Sequence, residues 1–361
     1  MTLHDVWKVV HSIRPSSLLA ACLVAGLGVA GGAIAADAKC KFVRIVDWPV
    51  RIVRNQIIVD GAINGQKVGV ILDTGTTRSL ILRSSAVRLD LPKREAPGRR
   101  MYGVGGESKM EIAVVDDFKL GEVSTKGLQL FVAGENDLGE GQDVLLGEDF
   151  LRRFDVEFDL AHGAVRLDQP RDCDGVSLAY WTKETAGEVE IEPMEENRPR
   201  ITLTVHINGQ PIEAMLDSGA STSMLTKDDA ASLGVTLDTP GVVAGRSSTG
   251  LGGKGVELWS GPFKSFAIGN ESIPDIRIRF GDLWKDTSYT TTGSSVSRKA
   301  SRTQPMLLGA DFLRAHRTLV AHSQQRLYFT YVGGPVFLAE PAAPRPAPRT
   351  DGDPSAGTGS N

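Results

Sequence analysis

Residues that bind metal ions are scarce in this sequence. It has six histidines and three cysteines among 361 residues, and it contains neither a His-Glu-x-x-His motif nor a Cys-x-x-Cys pair. Zinc sites in proteins are usually built from such closely spaced ligands. The sequence therefore predicts no metal site, and we expect no cofactor.

An excess of positive charge is also lacking, because the net charge is −4. Proteins that bind nucleic acid usually carry a clustered basic surface, so nucleic acid is not an expected partner. Glycine-rich stretches at 103–106 and 250–253 lack the following helix and the strand–helix–strand context of a dinucleotide site. A hydrophobic content of 41% and a charged content of 23% are ordinary for a soluble globular protein.

The N-terminus has the pattern of a targeting segment. Lys8 and Arg14 precede an apolar run at 18–36 that ends close to Ala-Ile-Ala. A basic start, an apolar stretch and a small-x-small end are typical of a secretory signal peptide. The run is also about long enough to span a bilayer. We expect residues 1–36 to be a signal peptide or an uncleaved anchor with membrane association, and the protein to be exported, either periplasmic or secreted.

Cleavage at the end of this segment would leave two cysteines, Cys40 and Cys173. Disulfides form and persist in the oxidising compartments that exported proteins reach. We therefore expect these two cysteines to form one disulfide. Two unpaired thiols are the alternative.

The chain contains an internal repeat of three motifs that occur twice in the same order. They are an Asp-[Thr/Ser]-Gly triplet after an apolar run, a Gly-x-Gly-Gly turn and a Leu-Leu-Gly block. The first set lies at 73–75, 103–106 and 145–147, and the second at 217–219, 250–253 and 307–309. Chance could supply one such triplet, but not three ordered matches twice. The chain is therefore a duplication.

The repeated halves have the pattern of β-structure. Asn-Gly at 64–65 and 208–209 separates apolar runs, which is the strongest short-range hairpin signal. Runs at 57–59 and 201–205 are rich in β-branched residues. The 40 glycines also favour a turn-rich β protein over a helical bundle. One short helix is expected after each Leu-Leu-Gly block, at 148–153 and 310–315.

These motifs resemble those of the retropepsin-like aspartic peptidase family, the fold of retroviral proteases, and most of all its bacterial exported members. The resemblance covers most of 40–332. It implies an all-β protein with two pseudo-symmetric retropepsin-like β-barrel lobes in a pepsin-like bilobal architecture. We place lobe one at 40–170, a polar connection at 171–197 and lobe two at 198–333. The Pro- and Gly-rich segment at 334–361 is expected to be a disordered tail.

Asp73 and Asp217 are the candidate catalytic dyad. Two close carboxyl groups that share one proton can activate a water molecule and protonate a carbonyl at the same time. A single Asp-Thr-Gly triplet would more often be an ordinary turn, but this motif occurs twice after apolar residues. Gly75 and Gly219 allow each loop to turn and the two loops to approach closely.

The resemblance implies supporting roles for neighbouring residues. The hydroxyls of Thr74 and Ser218 are expected to hydrogen-bond across the two loops and hold the carboxylates coplanar. A hydroxyl at the position of Thr76 can donate to the adjacent carboxylate in pepsin-like enzymes, whereas the second half has Ala220 there. A donor to the charged form lowers a carboxyl pKa. This asymmetry predicts that Asp73 is mainly ionised and that the other aspartate holds the shared proton.

Each Gly-x-Gly-Gly stretch lies where a substrate-covering flap would lie, between the aspartate and the Leu-Leu-Gly block. A plain surface hairpin is the alternative for both stretches. Tyr102 precedes the first one, as a flap tyrosine does in pepsin, and Thr249 takes that position in the second. A surface tyrosine is the alternative there. The flap glycines are Gly103, Gly105, Gly106, Gly250, Gly252 and Gly253.

The expected function is an aspartic endopeptidase that acts on a protein or peptide substrate extended in a cleft between the lobes. We expect a monomer with its dyad inside one chain. One alternative is pairing of lobes between chains, and another is a non-catalytic peptide-binding or assembly module that keeps the fold. An inactive relative would be free to lose an aspartate, a glycine or a loop hydroxyl, and none is missing. Arg78 beside the first triplet departs from the family pattern.

Overall fold

The computed structural model describes residues 40–196, 199–284 and 304–337, together with the backbone of two short strands between the last two ranges. The segment at 1–36, predicted to be a signal peptide or anchor, lies outside the described residues. In the part of the chain that is described, no helix has the length and apolar character needed to cross a membrane.

The first half is built from short helices and longer strands. Its strands are β1 (Lys41–Pro49), β2 (Arg51–Val53), β3 (Gln56–Ile63), β4 (Gln66–Leu72), β5 (Leu80–Leu82), β6 (Lys93–Gly103), β7 (Gly106–Leu120), β8 (Val123–Ala133), β9 (Val144–Leu146), β10 (Asp155–Asp159), β11 (Ala164–Arg171) and β12 (Gly187–Glu190). Its helices are α1 (Arg83–Arg88), α2 (Glu148–Leu151) and a 3-10 turn at Leu160–His162.

The second half repeats this arrangement with shorter strands in its flap region. Its strands are β13 (Thr202–Ile207), β14 (Gln210–Leu216), β15 (Met224–Thr226), β16 (Val243–Ala244), β17 (Ser248–Thr249), β18 (Gly255–Val256), β19 (Leu258–Ile268), β20 (Glu271–Gly281), β21 (Ser288–Thr290), β22 (Ser297–Lys299), β23 (Met306–Leu308), β24 (His316–Ala321) and β25 (Arg326–Tyr331). Its helices are α3 (Lys227–Ser232) and α4 (Ala310–Ala315). The helix expected after each Leu-Leu-Gly block is confirmed, and the described part of each half has one further α-helix.

Two related sheets form the bodies of the lobes. Their strand orders are β2-β3-β4-β9-β5-β8-β7-β6 and β13-β14-β23-β15-β20-β19-β16. In both, the strand before the aspartate pairs in parallel with the Leu-Leu-Gly strand, β4 with β9 and β14 with β23. Additional pairs, β3 with β7 and β13 with β19, curl each sheet back on itself. The predicted all-β architecture with two retropepsin-like lobes is confirmed.

A third sheet joins the lobes. Its strand order is β1-β11-β10-β24-β25-β12, so it takes strands from both halves, and β10 pairs with β24 at the junction. Part of the segment expected as a polar connection, 171–197, belongs to this sheet, because β12 pairs with β25. One hydrophobic cluster runs through both lobes and this sheet and includes buried Phe150, Phe158, Phe266 and Phe312. Shared packing of this kind holds the lobes at a set distance.

The predicted disulfide between Cys40 and Cys173 is confirmed, with 4.4 Å between the two Cα atoms. Cys40 precedes β1 and Cys173 follows β11, and these two strands pair with each other. The bond therefore closes the first lobe at its two ends.

Replacing both cysteines by serine should lower the free energy of unfolding by about 2–4 kcal/mol. The disulfide closes a loop with a sequence separation of 133 residues, so its loss restores entropy to the unfolded chain. Urea unfolding of the oxidised wild type and of the double Cys→Ser variant measures the difference. Reducing agent should bring the wild type to the stability of the variant. An equal urea midpoint for the two oxidised proteins would contradict the prediction.

Candidate active site

The two candidate aspartates stand at equivalent places in the lobes. Asp73 directly follows β4 and Asp217 directly follows β14. The Asp73 N–H donates to the Leu146 carbonyl at 3.0 Å, and the Asp217 N–H donates to the Leu308 carbonyl at 2.9 Å. Each aspartate loop is therefore anchored on the adjacent Leu-Leu-Gly strand.

The glycine of each Leu-Leu-Gly block lies beneath the aspartate loop. A Cβ added to Gly147 would lie 2.8 Å from the Thr76 carbonyl oxygen. One added to Gly309 would lie 2.8 Å from the Ala220 carbonyl oxygen. Such contacts are too short for any side chain, so glycine is the only residue that lets the loop descend onto the strand.

The two carboxyl groups meet between the lobes. A Cβ added to Gly75 would lie 2.3 Å from Asp217 Cγ, and one added to Gly219 would lie 2.4 Å from Asp73 Cγ. The two carboxyl groups are close enough that the charge of Asp217 raises the pKa of Asp73.

Reciprocal hydrogen bonds lock the two loops together. The Thr74 N–H donates to Ser218 Oγ at 3.0 Å, and the Ser218 N–H donates to Thr74 Oγ1 at 2.9 Å. Each hydroxyl then donates at 2.7 Å to a carbonyl of the opposite lobe, Thr74 to Leu216 and Ser218 to Leu72. Both side chains are buried. The loops therefore cannot move apart without leaving several buried polar groups unpaired.

Ser218→Ala and Thr74→Val should each destabilise the protein by about 2 kcal/mol, because each leaves a buried N–H and a buried carbonyl unpaired. The double variant should cost less than the sum of the two, since loops that the first change has loosened let water reach the groups that the second change leaves unpaired. Chemical denaturation of the three variants and the wild type gives this double-mutant cycle. Strictly additive effects would show that the two hydroxyls do not act as a unit.

Backbone N–H groups in each loop orient the carboxylates. Oδ1 of each aspartate accepts from the N–H groups two and three residues further along the chain. The donors and distances are Gly75 at 2.9 Å and Thr76 at 3.1 Å for Asp73, and Gly219 at 3.0 Å and Ala220 at 3.0 Å for Asp217. The backbone hydrogen bonds to the aspartate carboxyl group are therefore the same in the two lobes.

The predicted cause of the asymmetry between the two aspartates, a hydrogen bond from the Thr76 hydroxyl to Asp73, is wrong. The Thr76 hydroxyl donates to the Arg78 carbonyl at 3.2 Å and closes its own turn, so the donor from Thr76 to Asp73 is the backbone N–H. Ala220 supplies the same donor in the second lobe, so its missing hydroxyl makes no difference.

Burial raises the pKa of both carboxyl groups. The pKa of Asp73 lies well above its usual value because the group is buried and faces the charge of Asp217. The pKa of Asp217 is also raised by burial. The backbone donors in each loop lower both pKa values but do not outweigh burial. Two carboxyl groups so placed retain a proton that freely solvated aspartates would have lost.

The two Gly-x-Gly-Gly turns meet each other at their tips. The first is the tip of the β6–β7 hairpin, and the second joins β17 to β18. The Gly252 N–H donates to the Val104 carbonyl at 3.2 Å, and the Lys254 N–H donates to the Gly105 carbonyl at 3.1 Å. The hairpins thus close over one another from the two lobes.

The flap positions differ in the structural reason for having glycine. A Cβ on Gly105, Gly250 or Gly252 would lie 2.3 Å from a backbone atom of the opposite flap. Gly106 has a φ of 113°, a conformation that favours glycine. A Cβ on Gly253 would lie 3.2 Å from Glu135 Cβ, and one on Gly103 would meet nothing within 4 Å. Close approach of the flaps therefore accounts for three of the predicted glycines.

Each flap tip packs against the opposite lobe. Val104 of the first flap packs against an apolar cluster of the second lobe that includes Met215 and Met224. Leu251 of the second flap contacts a cluster of the first lobe that includes Leu80. Tyr102 lies on β6 with an exposed fraction of 40%, opposite Glu107 in the hairpin ladder. The crossed tips cover the space beside the aspartate loops.

A second set of hydrogen bonds, which the sequence did not lead us to expect, holds each aspartate loop. Asp149 Oδ1 accepts from the Ser79 N–H at 2.8 Å and the Ser79 hydroxyl at 2.7 Å, and Asp311 holds Ser223 in the same way. The signal was present in the repeat, because both serines and both aspartates occur at matching places. These carboxylates fix the chain just after each triplet.

Comparison with known families agrees with this architecture. A family model described as aspartyl protease matches residues 59–150 and 203–312, which is more than half of the chain. The two matched regions contain both aspartate triplets, both flap turns and both Leu-Leu-Gly blocks. No curated protein matches the chain. The chain belongs to the aspartyl protease family and carries its retropepsin-like unit twice.

Proposed function

We propose that this protein is an aspartic endopeptidase whose dyad, Asp73 and Asp217, forms within one chain. The observation that carries the proposal is the close approach of two equivalent loops, each with its glycine packed against the carboxyl group of the opposite aspartate. Two carboxyl groups that share one proton supply a base and an acid on the two sides of a peptide carbonyl.

The reaction needs one water molecule and no other reagent. The ionised aspartate takes a proton from water as the water oxygen bonds to the peptide carbon, while the protonated aspartate gives its proton to the carbonyl oxygen. A tetrahedral diol results. Proton transfer to the peptide nitrogen and back to the dyad then breaks the C–N bond and leaves a carboxylic acid, an amine and a singly protonated dyad.

The substrate would be a protein or peptide bound in extended form beneath the flaps. The flap tips now satisfy each other's backbone groups, with the Val104 and Gly105 carbonyls accepting from Gly252 and Lys254. These groups must separate to admit a substrate, and they are then free to bond its main chain. Such exchange of backbone partners lets flap closure exclude water from the dyad.

The proposal also covers the cellular location and the oligomeric state of the protein. The disulfide at Cys40 suits an oxidising compartment, so the protein would act in the periplasm or after secretion, held at the membrane if residues 1–36 remain attached. The protein would act as a monomer, because each chain supplies both lobes of one sheet-joined unit.

Digestion of a peptide library by the mature protein tests the proposal. The wild type should cleave internal peptide bonds, and Asp217→Asn should not. Asp228→Asn provides the matched control, because Asp228 is an exposed aspartate on α3 of the same lobe. Peptide binding without cleavage by the wild type would instead support the non-catalytic binding module.

A further inference from the structure

A buried carboxyl and a buried imidazole lie together below the aspartate loop of the first lobe. Glu148 begins α2 with a fully buried side chain, and His322 directly follows β24. Glu148 Oε2 lies 3.9 Å from His322 Nε2. Among the described residues, neither carboxyl oxygen of Glu148 and neither ring nitrogen of His322 has a hydrogen-bond partner.

The fold does not require a carboxyl at this place. The second lobe has Ala310 at the position of Glu148, immediately after its own Leu-Leu-Gly block, and that alanine is also buried. Burying a polar group without a partner is unfavourable by several kcal/mol in order of magnitude. Glu148 therefore weakens the fold at a position where the second lobe has alanine. We expect such a residue to have a role in the functional site.

Glu148 connects directly to the loop that carries Asp73. Its backbone N–H donates to the Thr76 carbonyl at 2.9 Å, and the Thr76 N–H donates to Asp73 Oδ1 at 3.1 Å. Burial and then the charge of Asp73 raise the pKa of Glu148 to about 8. Arg152 lowers this pKa and Asp149 raises it further.

His322 stays neutral for related reasons. Burial, with the charge of Arg152, lowers its pKa to about 4. Near neutral pH the pair therefore consists of a protonated Glu148 and an uncharged imidazole, and Glu148 is the member on which the charge of Asp73 acts.

Building on the proposed peptidase function, we propose that Glu148, with His322 beside it, is a positioning residue that keeps the shared proton on the Asp73/Asp217 dyad at alkaline pH. Near pH 8 Glu148 loses its proton to solvent, while His322 stays uncharged. The new negative charge makes the last dyad proton harder to remove, because coupled acids repel each other's ionisation.

The pH dependence of kcat/KM separates this role from a structural one. Glu148→Gln should move the alkaline limb down by about one pH unit, which is about tenfold in kcat/KM above the limb. The acid limb should stay in place, because Glu148 is uncharged there. Asp155→Asn is the control, since Asp155 is a buried acid of the same region with a pKa raised to about 6, and it should leave the alkaline limb unchanged.

Carbon-13 NMR of labelled aspartate and glutamate carboxyl groups supplies a readout that needs no cleavage. The wild type should show one glutamate carboxyl titrating near pH 8 that is missing in Glu148→Gln. The dyad resonances should titrate at lower pH in that variant. Glu148→Ala, which copies the second lobe, replaces Glu148→Gln if the amide prevents folding.

The outcomes distinguish two kinds of failure. Coupled titration in a protein that cleaves nothing would reject the peptidase proposal and keep the coupling between Glu148 and the dyad. An active enzyme whose alkaline limb and dyad titration are the same with and without Glu148 would overturn the inference. A Glu148 carboxyl that titrates at the ordinary value of 4.5 would overturn it as well.

Discussion

Asp73→Asn and Asp217→Asn should each lower kcat/KM for peptide cleavage by about four orders of magnitude or more. An asparagine still accepts the two loop N–H groups that now bind Oδ1 of each aspartate, so the loop should keep its shape. It cannot share or transfer a proton, however, and the reaction loses its acid or its base. Initial rates on one cleaved peptide, with circular dichroism as a check of folding, measure the effect.

Mixing the two inactive variants should not restore cleavage. The lobes share one sheet through the β10–β24 pair and one continuous core, so a lobe cannot exchange between chains without unfolding. Asp228→Asn should cleave at the wild-type rate, which shows that loss of one carboxylate elsewhere in the lobe is harmless. Recovery of activity in the mixture would indicate that the dyad forms between chains.

Glu148→Gln should stabilise the protein by an amount that grows with pH and reaches about 4 kcal/mol at pH 8. The pKa of Glu148 is about 8 in the folded protein and 4.5 ordinarily. Between these values the unfolded chain releases a proton that the folded protein must keep, so the wild type loses stability as the pH rises. Above pH 8 the penalty is complete and stays constant. The variant lacks this loss entirely.

Urea unfolding of the wild type and Glu148→Gln from pH 4 to pH 9 measures this difference, which should be small at the acid end. His322 has the opposite sign, because its lowered pKa weakens the fold only as the pH falls below 6.5 toward about 4. That contribution is common to both proteins and largely cancels in the comparison. A stability difference independent of pH would show that Glu148 does not titrate abnormally.

The duplicated, β-rich fold was predictable from local patterns. Asn-Gly turns, β-branched runs and three motifs repeated in order specify strands and hairpins through interactions between near neighbours. The same repeat indicated that Asp73 and Asp217 come together, because equivalent loops of two similar lobes meet at the axis between them. The pairing of Cys40 with Cys173 followed from the number of cysteines and from export alone.

The donor to each carboxylate could not be predicted in this way. A hydroxyl at Thr76 suggested an asymmetric dyad, yet the direction of the turn aims the backbone N–H at Asp73 and the hydroxyl at Arg78. Side-chain direction depends on backbone geometry and rotamer, which a motif does not encode. The contact between the two flap tips could not be predicted from the sequence either, because each hairpin alone could equally be a free surface turn.

The sequence by itself determined the strands, the duplication, the candidate pair of aspartates and the disulfide, because each rests on spacing or composition along the chain. Only the tertiary structure decided which groups surround the dyad. Glu148 and His322 come from different halves, and no local pattern relates them. They meet because the sheet shared by both lobes brings α2 and the end of β24 together, and their burial there shifts both pKa values.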